Sequence, residues 1–571
     1  MHSKSSMSGE HEASILVVSS DAKGTPLICE EGLSFWGGVD PKSGRIIDTY
    51  HSQYGQLVRD RILIMPSSRG SCSGSGVLLE LAIKGMAPSA IIFLEMEDTL
   101  TLGAIVANHL FNCNLPIIRL CKKAYNVVSK SKTVQIKGKN LFADKFKFEL
   151  EIPREKELQL SEPEKKMLSG SHGQALQLAM KILCKMALAK KAKKFIEVTR
   201  VHIDGCIFAS GSNLIFAEKM ASIGAKVSVP TTTNAISVNF ENFQAKTQHT
   251  EFDLAAKKLA DAYLEMGALP SFTCAPYQSD DRPCAGENIG WSESNAVIYA
   301  NSVLGARTAK HPDFLDLFIA LTGRAPLSDL YVEQNRKPEA IIYVDAFSKY
   351  DDTFWPMLGW LAGKKTPHSV PLLKGLEKQR PSPDNLRALC ASFGTTSNAA
   401  MLHLAGVTPE NEMQAKLNAR HYRITKDDFI EVWDTFNIGP TNIQLIALGS
   451  PHSSLQELKE FLFWMDGNQC NPNVKVMVTI GRETKKEASA TGILQILEKL
   501  GIEVISDLCW CSITESTFPP KAKTVITNSG KYAHYGPALS GRQVRFGGLK
   551  ECAEVAKSGY WKNQLPSWLD D

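Results

Sequence analysis

Apolar positions occur along the chain in two patterns, as short apolar runs and as longer stretches with helical spacing. In the first quarter of the chain, apolar runs predict buried strands at residues 62–65, 90–94 and 115–120. Helical spacing predicts helices at residues 77–83 and 100–111. Glycine-rich turns separate these elements, so residues 14–150 are expected to form a small α/β domain.

The same alternation continues through the rest of the chain. Strands are predicted at residues 195–201, 226–229, 474–480, 504–505 and 524–527. Helices are predicted at residues 173–190, 213–223, 251–265 and 488–500. Strands that alternate with helices predict an α/β fold with mostly parallel sheets covered on both faces. Binding residues are then expected just past the ends of the strands.

Two polar stretches interrupt the alternation. Residues 151–166 are charged and contain Pro153 and Pro163, which predicts a linker. Residues 363–385 are rich in Lys and Pro and are expected to form an exposed loop. The first stretch divides the chain, so a larger second domain is predicted over residues 163–571.

The length and charge of the chain narrow the class of protein. A chain of 571 residues is too long for one ordinary core, and 43% hydrophobic with 22% charged residues is typical of a soluble globular protein. The 64 Lys and Arg residues nearly balance the 60 Asp and Glu residues, which gives no pull toward nucleic acid or anionic membranes. The basic run at residues 190–194 is typical of a solvated helix C-terminus.

The sequence contains no signal for a membrane or for secretion. No run of about 18 apolar residues occurs, so no transmembrane helix is predicted. Residues 1–13 are polar and carry both signs of charge, which predicts a disordered tail in a cytoplasmic protein. The 13 cysteines are an odd number spread along the chain, and we expect most of them to be buried free thiols rather than a disulfide framework.

A loop rich in glycine and serine follows the first predicted strand, with the sequence Arg69-Gly70-Ser71-Cys72-Ser73-Gly74-Ser75-Gly76. Backbone N–H groups in such a loop, together with a helix N-terminus, form an anion site. Arg69 adds a charged fork suited to carboxylate or phosphate, and a deprotonated serine hydroxyl can act as a base. An ordinary turn at a helix start fits these residues equally well. The loop is not a Walker A motif, because no Gly-Lys-Ser/Thr follows.

Other polar clusters stand after predicted strands or near turns. They include His202-Ile203-Asp204-Gly205-Cys206, Gly449-Ser450-Pro451-His452, Cys509-Trp510-Cys511 and Asn528-Ser529-Gly530-Lys531. For His202 and Asp204 we favour a structural hydrogen-bonded pair, and for Glu293 a cap or a pair within a helix is the plain alternative to a site. The spacing of Cys509 and Cys511 matches no zinc-finger or ferredoxin pattern, so spacing alone favours buried thiols.

Several motifs together resemble the aconitase X family, a branch of the aconitase superfamily of hydro-lyases, over residues 24–565. The family's small swivelling domain is matched by Phe35-Trp36-Gly37-Gly38-Val39-Asp40, by the loop from Arg69 and by Gly103-Ala104-Ile105-Val106-Ala107. Its large domain is matched by Thr273-Cys274-Ala275-Pro276-Tyr277, Trp291-Ser292-Glu293-Ser294-Asn295-Ala296 and Ala300-Asn301-Ser302-Val303-Leu304-Gly305-Ala306-Arg307-Thr308. The resemblance implies an aconitase-like large domain of several subdomains with mostly parallel sheets, and a small swivelling α/β domain.

The resemblance implies a dehydratase of a small molecule. Fused members with the small domain first are similar to cis-3-hydroxy-L-proline dehydratases, which form 1-pyrroline-2-carboxylate, whereas archaeal members with a separate small subunit are similar to mevalonate 5-phosphate dehydratases. The fusion in this chain favours the hydroxyproline reaction, and a phosphorylated or other small hydroxy acid is the alternative. A third hypothesis, an iron-responsive or nucleic-acid-binding regulator, has only the basic run 190–194 in its favour. Neither a nucleic acid nor a membrane is an expected partner, and a monomer or homo-oligomer is expected.

The resemblance also implies a set of site residues. Cys274, Cys509 and Cys511 are expected to hold an iron–sulfur cluster, of the 2Fe–2S type in preference to 4Fe–4S or mononuclear iron. Ser450 stands where the archaeal type has a cysteine, so Cys511 is expected to replace that thiolate, and Cys206 and Cys284 are alternatives for the third ligand. Ser71 is expected to be the base that removes the α-proton, with Arg69 stabilising its anion. Substrate-binding groups are implied at Gly70, Ser73, Asn295, Arg307, Thr396, Ser397, His452 and Lys531.

Overall fold

The computed structural model describes residues 13–48, 51–69, 72–245, 248–513 and 517–569. The described chain divides into two compact units. One contains the residues up to Leu160 together with Cys184–Lys194, and the other contains Ser161–Leu183 and the residues from Phe195 onward. None of the helices in the described ranges is long and apolar enough to span a bilayer.

The N-terminal unit is built on an eight-stranded sheet with the order β1-β5-β4-β3-β2-β6-β7-β8. Its strands are β1 (Ile15–Val18), β2 (Ala22–Ile28), β3 (Arg61–Met65), β4 (Ala90–Phe93), β5 (Ile117–Arg119), β6 (Val134–Lys137), β7 (Asn140–Ala143) and β8 (Phe146–Glu149). Strands β2 to β5 are parallel to one another, and β1 and β6 to β8 pair antiparallel. The helices are α1 (Gly74–Ile83), α2 (Thr99–Phe111) and α3 (Lys122–Val128).

The central strands of this sheet are continuous apolar runs because they are covered on both faces. Ile62, Ile64 and Ile92 are completely buried in one cluster. Gly103 brings α2 close to α1, since a Cβ atom there would lie 2.8 Å from the carbonyl oxygen of Ser75. This close packing fixes the start of α1, where the glycine- and serine-rich loop ends.

The second unit begins with helices and short strands that surround a three-stranded parallel sheet of order β11-β10-β12. The elements are α4 (Glu162–Ser169), α5 (Gln174–Ala189), β9 (Phe195–Glu197), β10 (Val201–Ile203), α6 (Gly211–Ser222), β11 (Thr231–Thr233), α7 (Glu251–Glu265), β12 (Gly290–Trp291), α8 (Ser294–Tyr299), α9 (Leu315–Thr322) and β13 (Arg324–Pro326). The residues of α5 from Cys184 onward belong to the N-terminal unit. Strands β9 and β13 form a separate antiparallel pair. A π-helical turn, Ala300–Leu304, continues α8.

Two further parallel sheets complete the second unit. The first, of order β16-β15-β14-β17, contains β14 (Ala340–Val344), α10 (Phe354–Lys365), β15 (Pro371–Lys374), α11 (Pro383–Thr396), β16 (His403–Leu404), β17 (Arg420–Ile424) and α12 (Lys426–Phe436). The second, of order β20-β19-β18-β21-β22, contains β18 (Leu445–Ser453), α13 (Leu455–Met465), β19 (Lys475–Ile480), α14 (Arg482–Ala490), α15 (Ile493–Lys499), β20 (Ile502–Ser506), β21 (Thr524–Thr527), α16 (Gly530–Ser540), β22 (Gln543–Phe546) and α17 (Leu549–Ser558). The α/β fold with mostly parallel sheets is therefore confirmed.

Both polar stretches contain regular structure, so neither is a loop throughout, although the boundary between the two units, Leu160 to Ser161, falls within the predicted linker. At residues 151–166, Ser161 donates its N–H to Glu164 Oε2 over 2.8 Å and Pro163 lies in the first turn of α4. At residues 363–385, α10 ends on two lysines, β15 follows, and Pro383 begins α11. Proline in a first turn and lysine in a last turn are helix-end signals that resemble loop composition.

Three element boundaries also differ from the predictions. Residues 195–201 split into β9 and β10, which belong to different sheets. Residues 226–229 are not a strand, because Val227 and Ser228 donate to the carbonyl oxygens of Met266 and Ala320, at the C-terminal ends of α7 and α9, and pairing begins only at β11. Residues 488–500 form two helices, since Gly492 has a φ of +75° that interrupts the helical path.

Candidate active site

Three cysteines of the second unit meet near the carboxyl ends of its parallel strands. Cys274 and Cys509 have Sγ atoms 3.5 Å apart, although they are 235 residues apart in the chain. The Ser450 hydroxyl, in the last part of β18, lies 3.9 Å from the Cys509 sulfur and 3.8 Å from the Cys511 sulfur. Ala235 packs against Cys274 and Cys509. The structure thus brings together the three thiols that the sequence singled out, and we call them the thiol site.

A buried tryptophan shapes the turn that carries two of these thiols. Trp510 is 1% exposed, and its indole Nε1–H donates to the carbonyl oxygen of Leu448 over 2.7 Å. The Cys509 N–H donates to Ser512 Oγ over 3.1 Å, which closes the turn. The preceding Asp507 accepts two hydrogen bonds from the Arg482 guanidinium, of 2.6 and 2.9 Å. The turn is therefore held at both ends, with Cys509 and Cys511 both facing Ser450.

A buried ion pair lies beside the thiols. Lys531, in the first turn of α16, donates from Nζ to Glu293 Oε1 over 2.8 Å, and the two side chains are only 12% and 6% exposed. Burial opposes the charge of Lys531, but the Glu293 carboxylate holds its pKa well above the usual range. Burial opposes ionisation of Glu293 as well, yet Lys531 lowers the pKa of that carboxyl. Both members therefore stay charged at neutral pH.

Glu293 connects this pair to the backbone of the thiol site. Its Oε2 accepts the N–H of Ala296 over 2.8 Å, so Glu293 caps α8, and it also accepts a hydrogen bond from the Asn295 amide. Asn295 donates to the carbonyl oxygen of Cys274 over 3.0 Å and accepts from the Tyr277 hydroxyl over 2.7 Å. Glu293 is thus the helix cap that the plain alternative predicted, although its ion pair is with Lys531 of another helix, and the same contacts orient Cys274.

His452 joins the separate segments that carry the thiols. Its Nε2 lies 2.7 Å from the carbonyl oxygen of Leu508, and its Nδ1 lies 3.1 Å from Thr273 Oγ1. Its main-chain N–H donates to Cys274 Sγ over 3.3 Å. Burial lowers the pKa of His452 to about 4, so the ring is neutral. Both ring nitrogens thus have protein partners. One partner, Thr273, directly precedes Cys274 in the chain, and the other, Leu508, directly precedes Cys509.

The donor chemistry of the thiol site fits iron or an iron–sulfur cluster. No group of three or more His, Cys, Asp or Glu side chains in the described ranges is placed to hold a metal ion directly. The contact with Cys274 raises the pKa of Cys509 to about 12, and the contact with Cys509 raises the pKa of Cys511 well above its usual range. Bare thiols therefore keep their protons here, whereas thiolates bound to metal would gain from Lys531 and from the His452 N–H.

The two alternatives for the third metal ligand, Cys206 and Cys284, have other surroundings. The Cys206 thiol donates to the carbonyl oxygens of Ile203 and Asn234, at 3.5 and 3.4 Å. Cys284 is exposed. All 13 cysteines are free and most are buried, so the prediction of buried free thiols rather than disulfides is confirmed.

Thr396, Ser397 and Arg307 are the remaining candidates for substrate binding in this unit, and the two hydroxyls among them are bonded to the main chain. Thr396 Oγ1 donates to the carbonyl oxygen of Trp360 over 2.8 Å, and Ser397 Oγ donates to that of Thr366 over 2.7 Å. These hydroxyls tie α11 to α10. Arg307 is half-buried, and its guanidinium has no ion-pair partner within the described ranges. Arg307 therefore keeps its charge available for an anion.

The N-terminal unit contains the glycine- and serine-rich loop in which Ser71 is the expected base. Gly70 and Ser71 lie outside the described residues. Arg69 pairs with Asp48 over 2.8 Å and with Glu31 over 3.4 Å, and its side chain is 41% exposed. Ser73 is buried at the N-cap of α1. The positive charge of Arg69 is thus shared with two carboxylates of its own unit.

The predicted pair of His202 and Asp204 does not form. His202 Nδ1 lies 2.8 Å from Thr232 Oγ1, and Asp204 accepts a hydrogen bond from the Asn234 amide. The prediction was wrong because β10 ends at Ile203, so Asp204 turns away toward the end of β11. Asn234 belongs to a polar cluster, Thr231-Thr232-Thr233-Asn234, that follows a predicted strand, but nothing in the sequence indicates Asp316 as a partner.

The chain is similar to known proteins of one family. Family models for aconitase X match four parts of the chain: the swivel domain at residues 12–142, the first domain at 157–334, the second at 338–434 and the third at 443–558. A solved structure described as Thermococcus kodakaraensis aconitase X in its holo-form matches with a TM-score of 0.64 and 29% identity, over 70% of this chain and 100% of that one.

Curated relatives extend the match to almost the whole chain. Cis-3-hydroxy-L-proline dehydratase of Hypocrea jecorina is 41% identical over 95% of both chains. The protein of the same name from Pseudomonas aeruginosa is 41% identical over 97% of this chain and 98% of its own. The phosphomevalonate dehydratase large subunit of Methanocaldococcus jannaschii is 30% identical, over 69% of this chain and 98% of its own. This chain therefore belongs to the aconitase X family.

Proposed function

We propose that the protein is a hydro-lyase that removes water from cis-3-hydroxy-L-proline and so yields 1-pyrroline-2-carboxylate. The observation that carries the proposal is the thiol site, in which Cys274, Cys509 and Cys511 meet beside a buried lysine. Two relatives of matching length and 41% identity bear the name of this dehydratase, which supports the choice of substrate.

The three thiols are proposed to hold an iron–sulfur cluster, of the 2Fe–2S type in preference to 4Fe–4S or mononuclear iron. Three protein ligands leave one iron position open, and such an iron supplies Lewis acidity to the departing hydroxyl. Lys531 offsets the negative charge that three thiolates bring into a buried site. His452 and Asn295 keep the Cys274 segment in place, so the ligands need little rearrangement when the metal binds.

The second requirement of the reaction is removal of the proton from Cα. We propose Ser71 as the base, carried by a small domain at residues 14–150, while residues 163–571 form the catalytic domain with the thiols. A serine hydroxyl is a weak acid, so loop N–H groups, among them that of Gly70, and the Arg69 guanidinium are needed to stabilise its anion. Arg307 is proposed to bind the substrate carboxylate, since it is a half-buried cation without an acidic partner in the described ranges.

The charges near the thiols favour hydroxyproline over a phosphorylated hydroxy acid. A phosphate requires additional cations, but Lys531 is paired with Glu293, and the buried Arg387 is paired with Asp384 and Glu457. Dehydration of mevalonate 5-phosphate remains the alternative, because a relative of that name covers about two thirds of the chain.

The test is purification of the full chain without oxygen, followed by assay of iron, sulfide and turnover. We expect about two iron and two sulfide per chain and release of 1-pyrroline-2-carboxylate from cis-3-hydroxy-L-proline. Mevalonate 5-phosphate is expected to remain unchanged. An iron-loaded protein that dehydrates only the phosphorylated acid would replace the proposal by its alternative, and one that acts on neither substrate would overturn it.

A further inference from the structure

Asp204 presents a buried carboxylate of fixed orientation near the thiol site. The residue is 7% exposed and stands directly after β10. Its Oδ1 accepts a hydrogen bond from the Asn234 amide. Its own N–H and that of Gly205 donate to Asp316 Oδ2, over 2.8 and 3.3 Å. Main chain and side chain are thus both held, and the carboxylate has one defined direction.

The second oxygen of this carboxylate is available. Asp204 Oδ2 has no hydrogen-bond partner within the described ranges, and it is not among the fully enclosed polar atoms that lack a partner. It therefore keeps a small accessible surface. The residue that fixes it, Asn234, is followed in the chain by Ala235, which packs against Cys274 and Cys509. Asp204 thus lies beside the wall of the thiol site.

The charge of Asp204 lacks a cation of its own. The nearby cation Lys531 donates to Glu293, and Asp316 is satisfied by main-chain N–H groups. Burial and the charge of Glu293 raise the pKa of Asp204 well above its usual range. A buried carboxylate in this position is stabilised when a cation joins it. The missing partner is a positively charged N–H donor.

We propose that Asp204 binds the ring ammonium of the substrate and makes the site specific for an amino acid over a hydroxy acid without a cation. This inference rests on the proposed function. A secondary ammonium has a positive charge and two N–H donors, which match the available Oδ2. A phosphorylated hydroxy acid has no cation to offer and would be repelled by the carboxylate. Asp204 would then determine which of the two substrate classes the thiol site accepts.

The test uses the holoenzyme and the isosteric variant Asp204→Asn. Its substrates are cis-3-hydroxy-L-proline and an ether analogue, cis-3-hydroxytetrahydrofuran-2-carboxylate, in which oxygen replaces the ring nitrogen. We expect the unsubstituted enzyme to prefer the amine by about 100-fold in kcat/KM, because a site built for a charged donor rejects an analogue without it. In Asp204→Asn the preference is expected to shrink to about threefold, mainly through a higher KM, with unchanged iron and sulfide content.

Asp281→Asn is the matched control, because Asp281 is an exposed carboxylate that pairs with Arg200, and it should keep the preference. If the enzyme turns over hydroxyproline and Asp204→Asn also keeps the preference, the inference is overturned. Failure of the unsubstituted, iron-loaded enzyme to turn over hydroxyproline instead refutes the proposed function. If Asp204→Asn does not fold, inhibition of the unsubstituted enzyme decides: L-proline is expected to inhibit far more strongly than tetrahydrofuran-2-carboxylate, and equal inhibition contradicts the assignment.

Discussion

Lys531 and Arg69 are both proposed to stabilise negative charge in the active site, but Lys531 is buried and Arg69 is exposed. Lys531 is 12% exposed and is paired with a carboxylate that is itself 6% exposed. The Arg69 side chain is 41% exposed, and its partners Asp48 and Glu31 are 19% and 42% exposed. Both side chains have acidic partners, but solvent screens only the pairs of Arg69 strongly.

The difference in burial determines how much free energy is needed to break each ion pair. A buried pair is costly to break, because removing one partner leaves an uncompensated charge. An exposed pair contributes about 0–1 kcal/mol, so Arg69 can exchange its carboxylates for another anion at little cost. The Lys531–Glu293 pair beside the thiol site is therefore expected to persist when substrate binds, whereas Arg69 is expected to exchange its partners.

The largest expected effect is on turnover by Ser71→Ala. Loss of the base is expected to lower kcat by about 1000-fold, while the visible absorbance of the cluster stays unchanged, since the thiols belong to the other unit. Ser43→Ala removes a hydroxyl from the same unit and should have little effect. Full activity in Ser71→Ala would exclude this serine as the base.

The second prediction tests the rigidity of the buried pair. Lys531→Met is expected to lower the free energy of unfolding by about 3–5 kcal/mol, because it leaves the Glu293 charge buried and alone. The double variant Lys531→Met/Glu293→Gln should recover most of this loss without recovering activity. Denaturant unfolding measures both. Additive losses in the double variant would show that the two residues act independently.

The third prediction concerns the contacts of His452. In His452→Gln the links to Leu508 and Thr273 are weakened, so the affinity for iron is expected to fall about tenfold. Iron retained after gel filtration with a chelator is the measurement. His421→Gln is the control, because His421 is exposed. Equal retention in the two variants contradicts a positioning task for His452.

The smallest effect is expected from Arg69→Lys. The free energy of unfolding should change by less than about 1 kcal/mol, since the pairs are exposed. Catalysis should fall by more than stability suggests, because lysine lacks the planar fork of arginine. The comparison of denaturant midpoint with kcat/KM separates the two effects. A large loss of stability would show that Arg69 is part of a rigid network after all.

The sequence predicted the parallel sheets well because buried strands are continuous apolar runs, as at residues 62–65 and 474–480. It failed where a short strand depends on a distant partner. The residues at 226–229 are apolar enough for a strand, but the N–H groups of Val227 and Ser228 bond to the C-terminal ends of two helices. Prolines at 163 and 383 were taken for loop signals although each lies in the first turn of a helix.

The contacts of the site were harder to predict from the sequence than the fold was. Lys531 and Glu293 are 238 residues apart, and no local pattern relates them. Spacing alone favoured buried thiols for Cys509 and Cys511, and only the resemblance pointed to a metal. The error on His202 and Asp204 arose because the end of a three-residue strand cannot be fixed from its own sequence. Contacts between residues that are distant in the sequence therefore determine which side chains pair in the site, and the motifs alone do not indicate these pairs.

The central claim is that the thiol site holds the iron on which turnover depends. The most direct measurement is iron per chain together with hydroxyproline turnover in Cys274→Ser, with the exposed Cys284→Ser as control. We expect Cys274→Ser to lose most of its iron and its turnover, and Cys284→Ser to keep both. A Cys274→Ser protein with full iron and full turnover would contradict the account.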